Sequence, residues 1–183
     1  MWGADVDEEL LIQSAEGIAV GMATKILPHN LVEVIEAVKA ALQGNPFDLF
    51  PDFPTGGLVD VSEYQDGLGK VLVRAKLDAK DPKRIVVTEL PFGSNTDALI
   101  ASIEAAARKG KLKIAEINDY TTERVEIEIK LPRNVYAAEV IDSLFAFADC
   151  EQSISVNLLV IRDGRPTLMS VSDVVDYYAD ALI

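Results

Sequence analysis

Apolar positions along the chain change period several times, and each change marks an element. Leu31, Val34, Ile35, Val38 and Leu42 recur at the three- and four-residue spacing of one helical face, with Pro28 and Asn30 before them and Gly44 after. Asn30 followed by Glu33 has the form of a capping box, so a helix is predicted from residue 31 to about 43. Residues 44–69 hold three prolines and five glycines and read as a loop-rich connection. The period then falls to two. Val71, Val73 and Ala75 alternate with Leu72, Arg74 and Lys76, and Ile85-Val86-Val87 follows Asp81-Pro82, which predicts two strands joined by a polar turn. Asn95 can cap a helix running through Ile100, Ile103 and Ala107 to Gly110. Ile114 to Tyr120 and Val125 to Leu131 predict a second strand pair, the latter with one wet face, and Tyr136 to Ala148 a second helix. Strand, strand, helix thus occurs twice, a weak internal duplication. The fold class is α+β, with helices packed on one face of an antiparallel or mixed sheet.

The two ends read differently. Leu10 to Gln13 is a short apolar run that feeds a small-residue stretch, Gly17-Ile18-Ala19-Val20-Gly21-Met22-Ala23-Thr24, where two glycines allow close backbone approach. At the other end Ile154 to Ile161, the turn Asp163-Gly164-Arg165-Pro166 and Thr167 to Met169 predict a hairpin. A last helix is predicted from Ser172 or Asp173, with no glycine or proline to end it before Ile183, as expected of an excised domain.

Composition narrows the class. With 49% apolar and 26% charged residues the chain is globular in balance, and no window reaches the 18 or so apolar residues of a membrane span. The acidic start, Asp5 to Glu9, has the wrong sign for a secretory or organellar leader, so a soluble cytoplasmic protein is expected, with no membrane partner. The single cysteine, Cys150, and single histidine, His29, exclude an intrachain disulfide and a cysteine-rich zinc site. The net charge of −13 argues at face value against nucleic acid, but it is uneven: residues 1–50 carry −6, residues 51–130 only −2, and residues 131–183 carry −5. Within the middle segment Arg108, Lys109, Lys111 and Lys113 gather four bases at a predicted helix end. That fits either the helix dipole or a surface that meets phosphate.

No catalytic constellation emerges. His29 beside Pro28 reads as a capping or core residue, and Glu126 and Glu128, two apart on a strand, share its solvent face. The glycines at 17 and 21 match neither a Walker loop nor a dinucleotide fingerprint. No catalytic and no metal-binding residue is assigned. Ile18, flanked by glycine and alanine, is either a core residue or an apolar wedge of the kind that enters a base step. Lys25, one of two bases before residue 70, is a candidate phosphate contact.

Four motifs in order, Gly17-Ile18-Ala19-Val20-Gly21-Met22-Ala23-Thr24, Pro28-His29-Asn30-Leu31, Pro51-Asp52-Phe53-Pro54-Thr55-Gly56-Gly57 and Glu89-Leu90-Pro91-Phe92, resemble the A subunits of bacterial type IIA DNA topoisomerases, DNA gyrase and topoisomerase IV. The likeness runs from about Leu10 onward; residues 1–9 do not share it. The resemblance implies a segment joining a winged-helix region to a tower domain (10–43), the tower itself (44–171) and the entrance to a coiled coil (172–183). It implies DNA-binding roles for Ile18, which matches an intercalating isoleucine, and for Lys25 and Lys70. Leu68 stands where the family often has an arginine, so one basic contact is missing. The family's nucleophilic tyrosine lies upstream of the first motif, and Tyr64, Tyr120, Tyr136, Tyr177 and Tyr178 all lie downstream, so none takes that role. The implied partners are double-stranded DNA, a second copy of the A subunit, which forms the family's homodimer, plus the B subunit that carries the ATPase. Magnesium and ATP would belong to the B subunit, with no cofactor in this chain. The residues alone also permit a free-standing α+β module that binds a ligand or partner.

Overall fold

A computed structural model of the chain describes residues 9–13, 15–19, 22–162 and 164–182. In chain order its elements are α1 (Glu9–Ile12), β1 (Ala15–Ala19), β2 (Met22–Ile26), α2 (Leu31–Leu42), β3 (Leu58–Asp60), a 3-10 turn (Gln65–Gly67), β4 (Lys70–Arg74), β5 (Lys76–Asp78), β6 (Arg84–Glu89), α3 (Thr96–Arg108), β7 (Glu116–Asp119), β8 (Ile127–Lys130), α4 (Ala137–Phe147), β9 (Glu151–Ser155), β10 (Leu159–Arg162), β11 (Arg165–Leu168) and α5 (Val171–Ala181). The chain divides into two units. One holds the described residues up to Phe53 with Val61–Val71 and those from Ile154 on; the other holds Pro54–Asp60 and Leu72–Ser153. Among the described residues no helix is long and apolar enough to cross a membrane.

The second unit bears out the α+β class and the repeated strand-strand-helix order. Hairpins β5–β6 and β7–β8 join through their inner strands into an antiparallel sheet of order β5-β6-β8-β7. Register sets Ile85 opposite Ile129 and Val87 opposite Ile127, so the period-two alternation puts all four on one face. Leu99, Ile103 and Ala106 of α3 and Ala137, Val140 and Leu144 of α4 complete that core. Each large apolar side chain so enclosed contributes roughly 1.5–3 kcal/mol. Asn95 caps α3 as predicted, its Oδ1 accepting from Ala98 N. Cys150 lies in this core, where burial pushes its thiol up to about 12, so it behaves as a small apolar residue.

Several expectations are corrected. The strand at 70–74 does not pair with the one at 84–89; it lies between β3 and β9, and the hairpin partner of β6 is β5. The alternation of Val71, Val73 and Ala75 reports burial, which cannot say which neighbour a strand takes. Glu128 does not share a wet face with the exposed Glu126. It is buried, with Arg84 Nη1 at 3.1 Å from one carboxylate oxygen and Asn118 Nδ2 donating to the other at 3.5 Å. Cross-strand register explains this, since Val86 and Asn118 flank Glu128 from either side.

In the first unit α2 forms where the pattern predicts, but its buried positions are Val34, Ala37 and Val38, while Leu31, Ile35 and Leu42 are 50, 40 and 45% exposed. Its main neighbour is α5, and one helix covers a narrower stripe than a sheet would. Asn30 caps it through Val32 N, and a return bond from Glu33 is not made. The predicted hairpin forms as β10–β11, but its first arm, expected from Ile154 to Ile161, is divided: Ile154 and Ser155 belong to β9, which pairs with β4, and β10 begins at Leu159. α5 starts slightly earlier than predicted: Ser170 is its cap, and Asp173 Oδ2 accepts from Ser170 N while Ser170 Oγ accepts from Asp173 N. A coiled coil beyond it is not shown. Ser170→Ala removes one half of this box and is expected to cost about 1 kcal/mol in urea unfolding, with Ser170→Thr close to wild type.

Candidate nucleic-acid interface

The small-residue stretch, to which the sequence pattern assigns no element, forms two paired strands. β1 and β2 pair from Ala15 with Ile26 to Ala19 with Met22. Positions 20 and 21, which connect them, lie outside the described residues. Ile18 stands at the register position opposite Ala23, one pair from the end of the ladder, and Lys25 stands opposite Glu16. Antiparallel register puts the Glu16–Lys25 and Ile18–Ala23 positions on one side and Gly17–Thr24 and Ala15–Ile26 on the other. Ile26 is buried, so the second side is the inner one, and exposed Glu16 and Ala23 mark the outer.

A two-stranded hairpin is marginal alone, and this one is anchored. Lys25 N donates to Asn157 O at 2.8 Å and Asn157 N returns to Lys25 O at 3.0 Å. Thr24 Oγ1 donates to Asn157 O at 3.1 Å, and the Asn157 side chain donates to Ala23 O. On the other side of the same two residues, Val156 N donates to Gly69 O at 2.8 Å, immediately before Lys70. Lys25 and the start of β4 therefore lie two strand spacings apart, roughly 10 Å.

The loop that delivers Lys70 is shaped by close approach. Tyr64 O accepts from both Gly67 N (3.2 Å) and Gly69 N (2.9 Å). A Cβ on Gly69 would sit 2.0 Å from Glu63 O, and Gly67 has φ +85° with Val171 Cγ2 at 2.8 Å from where its Cβ would be. Glycine is required at both positions. Asp66, itself at φ 54°, accepts from Ser172 N at the start of α5.

Both lysines carry carboxylate partners, Lys25 to Glu16 at 3.4 Å and Lys70 to Glu63 at 2.9 Å. These are partly exposed pairs, each worth about 0–1 kcal/mol, so exchange of glutamate for phosphate carries a small penalty. Leu68, at the place of the expected arginine, is 42% exposed.

His29 proves to be a core residue. Its Nδ1 lies 3.0 Å from Leu11 O and its Nε2 3.0 Å from the Tyr64 hydroxyl. A carbonyl only accepts, so Nδ1 carries the proton and Tyr64 O–H donates to Nε2. Burial holds the His29 pKa below its ordinary value, outweighing the carbonyl of Leu11, and pushes the Tyr64 phenol up. One imidazole thus ties the residue before the hairpin and the segment after it to the segment that carries Lys70. Sequence reasoning missed Asn157, Thr24 and Tyr64, because each acts through contacts at least 35 positions away.

The chain is similar to known proteins over nearly its whole length. The family model for the A subunit of DNA gyrase/topoisomerase IV matches residues 9–183, so the chain belongs to that family. The DNA topoisomerase 4 A subunit of Borreliella burgdorferi is 55% identical over 170 residues, covering 93% of this chain and 27% of that protein. The DNA gyrase A subunits of Lawsonia intracellularis and Treponema pallidum are each 34% identical over 93% of this chain, which spans 23% and 24% of their lengths. The chain therefore covers about a quarter of these relatives.

Two outcomes are expected. Tyr64→Phe leaves Nε2 of His29 without a donor and lowers unfolding free energy by about 1–3 kcal/mol. Because folding depresses the His29 pKa, the unfolded chain binds more protons below about pH 6.5. The His29 contribution is complete above that pH and is lost as pH falls toward the folded pKa. Urea midpoints at neutral and mildly acidic pH read this directly, and His29→Gln should flatten the difference.

Proposed function

We propose that this chain is the tower-domain segment of a type IIA topoisomerase A subunit, supporting and bending the DNA segment that the complete enzyme cleaves. Residues 10–43 would join the winged-helix region to the tower, residues 44–171 form the tower, and residues 172–183 lead into the coiled coil. The observation that carries this reading is the Val156–Asn157 bridge, which holds the Ile18 and Lys25 hairpin beside the Lys70 loop.

In this reading Ile18 enters a base step. Unstacking costs on the order of a few kcal/mol, offset by contacts that a bent duplex gains along the protein. Lys25 and Lys70 exchange their glutamates for phosphates and set position without reading sequence. The nucleophilic tyrosine is supplied from upstream, a second A subunit completes the gate, and the B subunit brings ATP hydrolysis and magnesium. The activity served is passage of one duplex through a transient double-strand break in another, in the cytoplasm.

The test replaces the matching segment of the Borreliella burgdorferi topoisomerase 4 A subunit with this chain and assays the chimera, with its B subunit, on supercoiled and catenated plasmid. Strand passage is expected. Ile18→Ala in that chimera should lower cleavage and DNA bending at least about tenfold without moving the melting temperature. A folded chimera that cleaves no DNA, or an Ile18→Ala variant that bends DNA normally but melts early, overturns the assignment.

A further inference from the structure

Apart from Arg124 and Arg133, single exposed bases that have no ion pair among the described residues, the bases on the sheet of the second unit and those at the end of α3 form two groups. Across the open face of the four-stranded sheet, Arg84 meets Asp81 and Glu128, Lys130 meets Glu116 and Glu128, Lys76 meets Glu89 and Lys80 meets Asp78. Lys83 donates to the carbonyls of Arg133 and Val135. At the far end of α3 the pattern stops. Arg108, Lys109, Lys111 and Lys113 are all exposed, and among the described residues none has a carboxylate partner.

The helix dipole accounts for only part of this cluster. It favours a cation within the last turn, which covers Arg108 and Lys109, the last residue and the C-cap of α3. Gly110 then turns the chain at φ +71°, and Lys111 and Lys113 lie beyond the helix. They are nonetheless fixed. Leu112 between them is buried in the core, which holds both flanking lysines on the outside, and Lys111 Nζ sits 5.3 Å from the ring centroid of half-exposed Phe147. Lys109, Lys111 and Phe147 line one open cleft of about 430 Å³. Four like charges within six residues repel one another. In a chain with thirteen surplus acids, leaving them unopposed is a cost that an external anion would offset.

We propose that Arg108, Lys109, Lys111 and Lys113 form a second DNA contact surface that binds the phosphate backbone of a duplex without sequence preference. It rests on the DNA-binding role proposed above and adds to it a site separate from the hairpin and the Lys70 loop. Charge complementarity selects the occupant. The cluster offers exposed point charges beside an open cleft whose other lining residues, Ser102, Ala105, Ala106, Ala146 and Phe147, carry no amide or carboxylate side chain to read a base edge, so it binds backbone only.

The experiment measures binding of the chain to a short duplex by fluorescence anisotropy from low to moderate salt. Three proteins are compared: wild type, the variant Arg108→Gln, Lys109→Gln, Lys111→Gln, Lys113→Gln, and the variant Lys25→Gln, Lys70→Gln. The cluster variant should bind at least about tenfold more weakly, and its slope of log affinity against log salt should shrink by about 3 to 4. Should that variant unfold by circular dichroism, Lys111→Gln with Lys113→Gln carries the same test at about half the slope change. Unchanged affinity and slope in the cluster variant, with loss in Lys25→Gln, Lys70→Gln, overturns the cluster and leaves the first reading standing. Loss only in the cluster variant supports the cluster and removes the two lysines. No binding by wild type at low salt, or equal competition by polyglutamate at matched charge, overturns the cluster as a duplex surface.

Discussion

The first unit hangs on the main chain of two residues, Val156 and Asn157. They offer hydrogen bonds on both sides, to Lys25 on one and Gly69 on the other. Without them β1 and β2 are an isolated hairpin, too small to hold its own register in water. With them, the hairpin becomes an extra strand pair beside a folded body, with Ile26 buried on one side and Glu16 and Ala23 exposed on the other. Backbone bonds hold the element in place.

The His29–Tyr64 pair is the buried counterpart of that arrangement. A polar group taken from water must recover its hydrogen bonds, and here every one is recovered: Leu11 takes the Nδ1 proton and Tyr64 supplies one to Nε2. Among the described residues no buried side-chain polar atom lacks a partner. The pair imposes geometry as well as satisfaction. His29 N also donates to Leu11 O, so the two ends of the hairpin region are clamped by one residue at both its backbone and its ring. Tyr64 uses its carbonyl to shape the Gly67–Gly69 loop and its hydroxyl to reach His29. Lys25 and Lys70 are thereby placed by one polar network rather than by two independent loops.

What was legible in the sequence follows from which forces are local. Caps are local, so Asn30 and Asn95 could be read from a few residues, and the helix at 96–108 emerged with its boundaries nearly right. Alternation is legible as burial: Val125 to Leu131 reads as a strand with one wet face, and Ile127 and Ile129 are buried. Partner choice was not. Nothing in Val71 to Ala75 says that β4 lies between β3 and β9, because hydrogen-bonding backbones look alike. Glu128 misled for a related reason: a carboxylate at an alternating position reads as solvated, and only Arg84 and Asn118 on neighbouring strands make its burial tolerable. The hairpin at 15–26 was hidden by its small residues, which carry little periodicity. The resemblance to topoisomerase A subunits supplied what periodicity could not, since it rests on identities such as Gly17-Ile18-Ala19-Val20-Gly21 rather than on pattern.

Net charge was the least informative quantity, and the structure explains why. A sum of −13 describes the far field, which salt screens within about 8–10 Å. A phosphate approaching the surface instead meets the local arrangement. Lys25 and Lys70 each face a single glutamate across a partly exposed gap, so their charge is lent to the fold weakly. Arg84 is committed further, because its partner Glu128 is buried and would keep only Asn118 and the more distant Lys130, 4.0 Å away, if it left. Arg108, Lys109, Lys111 and Lys113 are committed to no carboxylate among the described residues. Availability thus rises from the sheet face, through the hairpin and its loop, to the end of α3. An acidic chain can meet an anion when its acids are spent on some bases and kept away from others.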